Sequence, residues 1–401
     1  MSRILIAWEL GGNLGHVLPL LVLARALRAK GNEVLFALRD VRASAGLLQR
    51  ENFRFVQAPH LAPSRIRGLA GGPASYPEIL LYYGFADAPA LEAQALAWRH
   101  LFALAKPDAL LLDHAPTALL AARGLPFRKV LFSTGFTSPP RIAPMASIRP
   151  WQRIPMQRLQ GSEQRALHTA NAVLGTVGAK PLEELYELFD ADEDILATLP
   201  ELDHYGARPN ARYWGPVADV GRSEAPAWPG GEGKKVFVYI RAASPAFKPL
   251  YAAMRNMQAS VLWFAPGLTE AAASTLSSAS IRITSSPLDM TKVAGSAAAA
   301  IFHGGHGTAA AMLLAGVPMF LIPENIEQLL IAQRVSAIGA GTAALPPAVR
   351  AGLAQRIAVF LADGAPHAAA SRIAKRYRHI ESAKQIEAMA EAILRPSGNA
   401  S

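Results

Sequence analysis

The stretch Ser296–Pro323 constrains this chain most, because it makes several different backbone demands in quick succession. Ala297–Phe302 is a short, wholly apolar run, as expected of a strand buried on both faces of a parallel sheet. It stops at His303-Gly304-Gly305-His306-Gly307-Thr308, and a helix-forming run, Ala309–Ala315, follows. Gly316 ends that helix, and Val317–Ile322 reads as the next strand. Strand, glycine-rich turn, helix and strand in this order form a unit of a doubly wound α/β sheet. Such a turn presents backbone N–H groups at a positive helix N-terminus, and its glycines let an anion approach the main chain. His303 adds a side-chain donor at the strand's carboxyl edge, and Thr308 adds a hydroxyl in the first helical turn. The segment from His303 to Thr308 is therefore expected to hold a phosphate group.

The same alternation runs on both sides of it. Ile4–Trp8 reads as a first strand, and a turn from Glu9 to His16 leads into a helix, Val17–Lys30, that ends at Gly31. Glu33–Leu38 and Asp108–Leu112 read as strands, with Asp113 at the carboxyl end of the latter and a helix, Thr117–Arg123, after it. Tyr76–Ala105 has a helical pattern, and Arg212–Val217 reads as a last strand. From Ala218 to Lys234 the chain turns to Gly, Pro, Ser and charge, which marks a linker. Strands are then expected at Val236–Ile240, Val261–Phe264 and Ile281–Thr284. The implied organisation is an amino-terminal domain over 1–217, a linker over 218–234, a second domain over 235–367, and a closing helical segment over 368–401. With 401 residues, 51% of them hydrophobic, the chain can build two cores.

Composition excludes several classes. There is no cysteine, so disulfides and thiolate metal sites are absent. A net charge of +10 favours an anionic substrate or partner, with solvated surface charge as the plain alternative. No arginine run interleaved with aromatics suggests a nucleic-acid groove. Met1–Trp8 is too short an apolar run for a signal peptide, and no stretch reaches bilayer length. A cytoplasmic protein without a transmembrane segment is expected, and peripheral membrane contact remains compatible.

Two motifs point elsewhere. The first turn offers Gly12-x-x-Gly15 but lacks the G-x-G-x-x-G of a nicotinamide site, and His16 stands where a small residue should pack. Asp190-Ala191-Asp192-Glu193-Asp194 contains a D-x-D that could hold a metal, but Ile195 replaces the glycine a calcium turn needs. A solvated acidic patch and no metal is the expectation there.

The two histidines bracketing the glycines, with Gly316-Val317-Pro318 and the tail Pro323-Glu324-Asn325-Ile326-Glu327-Gln328, resemble the donor-site signature of the family 1 glycosyltransferases, the UDP-glucuronosyltransferase-like enzymes. The stretch from Gly15 to Val34 resembles the opening of the bacterial macrolide glycosyltransferases in that family. The resemblance implies a GT-B fold, two doubly wound domains facing a cleft, with the closing helix packed back on the first. It implies inverting, metal-independent transfer of a hexosyl group from a nucleoside diphosphate sugar to a hydroxyl of a small-molecule or lipid acceptor. No cofactor is implied; UDP- or dTDP-sugar is the co-substrate. His16 matches the family's catalytic base and Asp113 its aspartate partner, although Asp113 could also simply cap the following helix. A neutral histidine suits removal of a hydroxyl proton, and a carboxylate on its other nitrogen would set the tautomer. His303, Gly304, Gly305, His306, Gly307 and Thr308 would bind pyrophosphate, and Glu327 and Gln328 the sugar hydroxyls.

The chain departs from the family at three places. Ser285 and Leu288 stand where plant members carry the Trp and Gln of the base-stacking site, Ala311 stands for a ribose-holding glutamate, and Arg241-Ala242-Ala243-Ser244 replaces a Gly-Ser turn. Arg241 either neutralises pyrophosphate or faces solvent; Arg241, Ser244 and Leu288 complete the expected donor site. The alternatives are a GT-B sugar-nucleotide 2-epimerase, which would need extra carboxylates, and a non-catalytic nucleotide-sugar binder.

Overall fold

The computed structural model describes residues 1–12, 15–69, 71–218, 225–230, 232–345 and 352–396. The chain forms two compact units. The first comprises Met1–Thr198, Ala207–Val217 and Ser382–Ser401, and the second Leu199–Gly206 and Ala218–Glu381.

The first unit is built on β1 (Arg3–Trp8), β2 (Glu33–Leu38), β3 (Arg54–Gln57), β4 (Ala109–Asp113), β5 (Arg128–Ser133) and β6 (Glu193–Leu196). These form a parallel sheet in the order β3-β2-β1-β4-β5-β6. The helix Val17–Ala29 covers one face through Leu20, Leu23, Ala24 and Leu27, a helical repeat of apolar residues. Met389 and Ile393 of the closing helix, Ser382–Leu394, pack into the same core.

The second unit holds β7 (Lys234–Tyr239), β8 (Ala259–Phe264), β9 (Ile281–Thr284), β10 (Ala299–Phe302), β11 (Met319–Leu321) and β12 (Gly341–Ala343). They pair in parallel as β12-β11-β10-β7-β8-β9. In each unit the first strand is therefore flanked by the second and the fourth. Chain direction across the sheet reverses there, between β1 and β4 and between β7 and β10. Ligands of doubly wound folds bind beyond the carboxyl ends of strands at such a switch point.

Several expectations are corrected. Tyr76–Ala105 is not one helix: Gly84 takes φ 103°, and Asp87 starts a new helix, Ala88–Ala105, by accepting from the N–H of Ala90. A glycine followed by a capping Asp and Pro89 outweighs the apolar periodicity. The segment Arg212–Val217 makes a single parallel bridge, Tyr213 to Leu196, rather than a strand. The acidic run is not a solvated patch, because Glu193–Leu196 is β6. Asp192 accepts from the N–H of Lys129 at 2.7 Å, and Asp194 accepts from Ser138 Oγ at 2.6 Å. The closing segment is two helices, of which Ala365–Arg376 belongs to the second unit and only Ser382–Leu394 to the first. Of the expected linker, residues 219–224 and 231 lie outside the described residues, and Trp228 packs on the second unit and donates to Ser296 Oγ.

Candidate active site

At the first switch point, β1 ends at Trp8, which lies in register with Asp113 at the end of β4. His16 immediately precedes the helix Val17–Ala29, and its Nδ1 lies 2.9 Å from Asp113 Oδ2. A carboxylate accepting from Nδ1–H leaves the lone pair on Nε2, which is the tautomer a general base requires. The Trp8 ring stacks on His16 with centroids 5.3 Å apart and holds its plane. The His16 side chain keeps 16% exposure, against 7% for Asp113, so the imidazole can be reached while its partner is shielded. Asp113 is not the cap of the next helix, Pro116–Ala121, whose capping position is Ala115. Of the turn that leads to His16, Asn13 and Leu14 lie outside the described residues. Gly11 has φ 89°, and a Cβ there would overlap His16 Nε2, so the turn demands glycine twice over.

Glu9 was not singled out by sequence reasoning. It is fully buried, and its carboxylate accepts from the N–H of Thr117 at 2.8 Å, from Gln94 at 3.2 Å and from Trp98 Nε1. Burial pushes its pKa up to about 8 against those hydrogen bonds. Its only sequence signal is a charged residue directly after a wholly apolar strand. The backbone N–H groups of Glu9 and Leu10 both reach the carbonyl of His114, at 3.4 and 2.9 Å, and stitch the two strand ends together.

At the second switch point β10 delivers His303, and Gly304 turns the chain with φ 97°. A Cβ on Gly304 would stand 2.9 Å from the carbonyl oxygen of Gln328, so this glycine serves the fold. Gly305 and Gly307 differ, since a Cβ on either meets nothing within 4 Å and both are exposed. Gly305 caps a helix that runs His306–Leu314, three residues earlier than the sequence suggested. The N–H groups of His306, Gly307 and Thr308 consequently occupy its first turn, where no intrahelical acceptor exists. Open backbone, exposed glycine and a helix N-terminus together give the geometry of a candidate anion cradle.

His303 behaves differently from expectation. Its Nδ1 lies 3.3 Å from the carbonyl of Ile322, and its Nε2 accepts from the N–H of Arg241 at 3.3 Å. That pattern needs the proton on Nδ1, so Nε2 is an acceptor here rather than the pyrophosphate donor the sequence suggested. Burial lowers the His303 pKa, although Glu324 opposes it, and the ring stays neutral. Across the switch point, Arg241 Nη2 pairs with Glu324 Oε2 at 2.5 Å, and Ser244 also donates to that carboxylate. Partial burial works against ionisation of Glu324, but these bonds hold its pKa below the usual carboxylate range.

Glu324, absent from the expected site, is thus the hub joining Arg241, Ser244 and His303. Gln328 is engaged in capping, because its Oε1 accepts from the N–H of Glu324 at 2.8 Å while Asn325 caps the helix Ile326–Ala337. Glu327 lies 3.8 Å from His204. His306 is buried beside His204, ring centroids 6.1 Å apart; burial, then the His204 charge, pushes its pKa down to about 3. Leu288 is a correction: its side chain lies in the core with Val293 and Phe302.

Fold and switch-point geometry together define a two-domain GT-B architecture. Comparison with known proteins agrees. Residues 252–388 match the family model of the erythromycin biosynthesis protein CIII-like C-terminal domain. The search of curated proteins found no match. Among solved structures, the calicheamicin glycosyltransferase CalG4 superposes with a TM-score of 0.71 at 18% identity, over 98% of both chains. The spinosyn rhamnosyltransferase SpnG, complexed with thymidine diphosphate, gives 0.66 at 17% identity over 97% of this chain and all of its own. SsfS6, a glycosyltransferase of Streptomyces sp. SF2575, gives 0.64 at 19% identity over 97% and 99%. Residues 252–388 are thus similar to an EryCIII-like C-terminal domain, and the likeness to GT-B glycosyltransferases extends over the fold of the whole chain. Among the described residues no helix is long and apolar enough to cross a membrane.

Proposed function

We propose that this chain is an inverting glycosyltransferase that moves a sugar from a nucleoside diphosphate sugar to a hydroxyl of a small-molecule or lipid acceptor. The observation that carries it is the His16–Asp113 pair, 2.9 Å apart at the first switch point. In this reading His16 Nε2 takes the acceptor hydroxyl proton as that oxygen attacks the anomeric carbon. The bond from that carbon to the pyrophosphate oxygen breaks, and the configuration inverts. Asp113 stabilises the imidazolium that forms. The leaving pyrophosphate gains charge, and the N–H groups of His306, Gly307 and Thr308 are the donors that offset it, with Arg241 as the nearby cation. No resident cofactor is needed, because both reacting bonds belong to the two substrates. Thymidine diphosphate is the favoured nucleotide, since solved neighbours hold it.

The test is His16→Ala. Turnover should fall by ~10²–10⁴-fold, the usual loss on removing a general base, with the thymidine diphosphate dissociation constant unchanged. Near-normal turnover would sink the mechanism.

A further inference from the structure

His114 follows Asp113 directly, yet the mechanism above gives it no task. It is 9% exposed, and among the described residues its Nε2 has no hydrogen-bond partner. A buried polar atom left unmet is costly, and native chains rarely keep one without a reason. Its backbone also sits at φ 45°, uncommon for any residue but glycine although histidine tolerates it better than most. The ring lines a narrow pocket of the first unit with Tyr76, Phe189, Ser133 and Thr137, with space on the order of one water-sized group. Tyr76 and Phe136 flank the ring at 5.9 and 6.3 Å, and the lining hydroxyls of Thr137 and Ser133 bond to each other at 3.0 Å. Its centroid stands 6.1 Å from that of His16. Burial above all, then the charges of His16 and Arg39, hold its pKa well below the ordinary value, so it meets a ligand as a neutral ring.

We propose that His114 is an acceptor-binding residue whose Nε2 hydrogen-bonds an oxygen substituent carried beside the reacting hydroxyl. This rests on the glycosyltransferase reading and narrows its acceptor class to molecules bearing neighbouring oxygens, such as vicinal diols or hydroxy-ketones. The pocket is too narrow for a ring but suits a single hydroxyl or carbonyl oxygen. The spacing from His16 lets one acceptor present two adjacent oxygens, one to each histidine. A buried partner discriminates strongly, because an acceptor lacking the second oxygen leaves Nε2 unmet.

The experiment uses the full chain, with catechol and phenol as probes that differ by one hydroxyl. NMR titration of the wild type should show tighter binding of catechol, by ~10-fold or more for a discriminating hydrogen bond in a desolvated pocket. His114→Phe, similar in shape without a polar atom, should abolish that preference, leave thymidine diphosphate affinity unchanged, and hold or raise the melting temperature. His114→Gln should restore part of the preference. Equal binding of the two probes, or binding of neither, overturns the proposal. So does a lowered melting temperature in both His114→Phe and His114→Leu, the mark of a histidine satisfied within the fold. None of these readouts needs turnover, so failure of the base mechanism in His16→Ala is told apart from failure here.

Discussion

At the β1–β4 junction the chain shields a polarised pair, whereas at the β7–β10 junction it leaves backbone uncovered. Both sheets have the same strand order, and both place a histidine after a strand flanking the switch point. His16 meets a carboxylate through Nδ1, which sets its tautomer. His303 meets a carbonyl through Nδ1 and has Nε2 occupied by the N–H of Arg241. In the proposed reading the same side chain is a base in one setting and a brace in the other. What differs is the partner on each nitrogen, and that is decided by which residues the neighbouring strand ends supply.

The sharpest way to break this contrast is Asp113→Asn. An amide can hold the wrong tautomer, so turnover should drop by ~10²–10⁴-fold with thymidine diphosphate affinity intact. A variant that keeps turnover would reduce His16 to a structural residue. On the other side, Gly304→Ala should destabilise the second unit by ~1–3 kcal/mol, since it combines a strained φ with a close approach to the Gln328 carbonyl. Urea unfolding measures it, and a neutral result would mean the turn relaxes freely.

Acid should separate the two units. His303 and His306 have depressed pKa values in the fold, so their stability contribution is present above about 6.5 and lost as pH falls below it. The proton that His306 refuses costs about 1.4 kcal/mol per pH unit there. In the first unit His114 does the same, but Glu9 works oppositely. Its pKa, raised to about 8 from 4.5, adds stability as pH falls through that window and offsets His114. Between pH 6.5 and 5 the second unit should therefore weaken while the first changes little, as hydrogen exchange can read separately for each. Equal weakening of both would contradict the assignment.

A smaller effect distinguishes fold from ligand at the cradle. Gly307→Ala lies in a helix with open space around it, so it should stabilise by ~0.5–1 kcal/mol. It should nonetheless weaken thymidine diphosphate binding several-fold, because the methyl stands where phosphate would approach. Unchanged affinity would move the phosphate site elsewhere. The smallest expected effect is none at all: transfer should persist in excess EDTA, since in the proposed reading N–H groups and a helix N-terminus serve the leaving group. Loss on chelation with rescue by magnesium or manganese would overturn that.

Much of the architecture was legible because it is local. Glu33–Leu38 and Ile281–Thr284 are strands with the bounds their apolar runs suggest, and Gly316, at φ 74°, ends its helix as expected. Expectation failed where capping competes with periodicity. The helix after β10 starts at His306, with Gly305 in the extended cap conformation, and Tyr76–Ala105 breaks at Gly84 although its apolar spacing continues.

By itself, then, the sequence determined the alternation of strands and helices, the glycines that turn the chain, and which residues stand at strand ends. Those depend on neighbours a few positions away. Only the tertiary structure decided what each of those residues does. His16 and Asp113 are 97 positions apart, Glu9 and Thr117 are 108 apart, and Arg241 and Glu324 are 83 apart. Each pair meets only because the fourth strand of a unit lies beside its first, or the fifth beside that fourth, and no local pattern of residue types encodes such a neighbour. Whether a histidine holds its proton on one nitrogen or the other, and whether His114 is left with an unmet one, follows from that pairing alone.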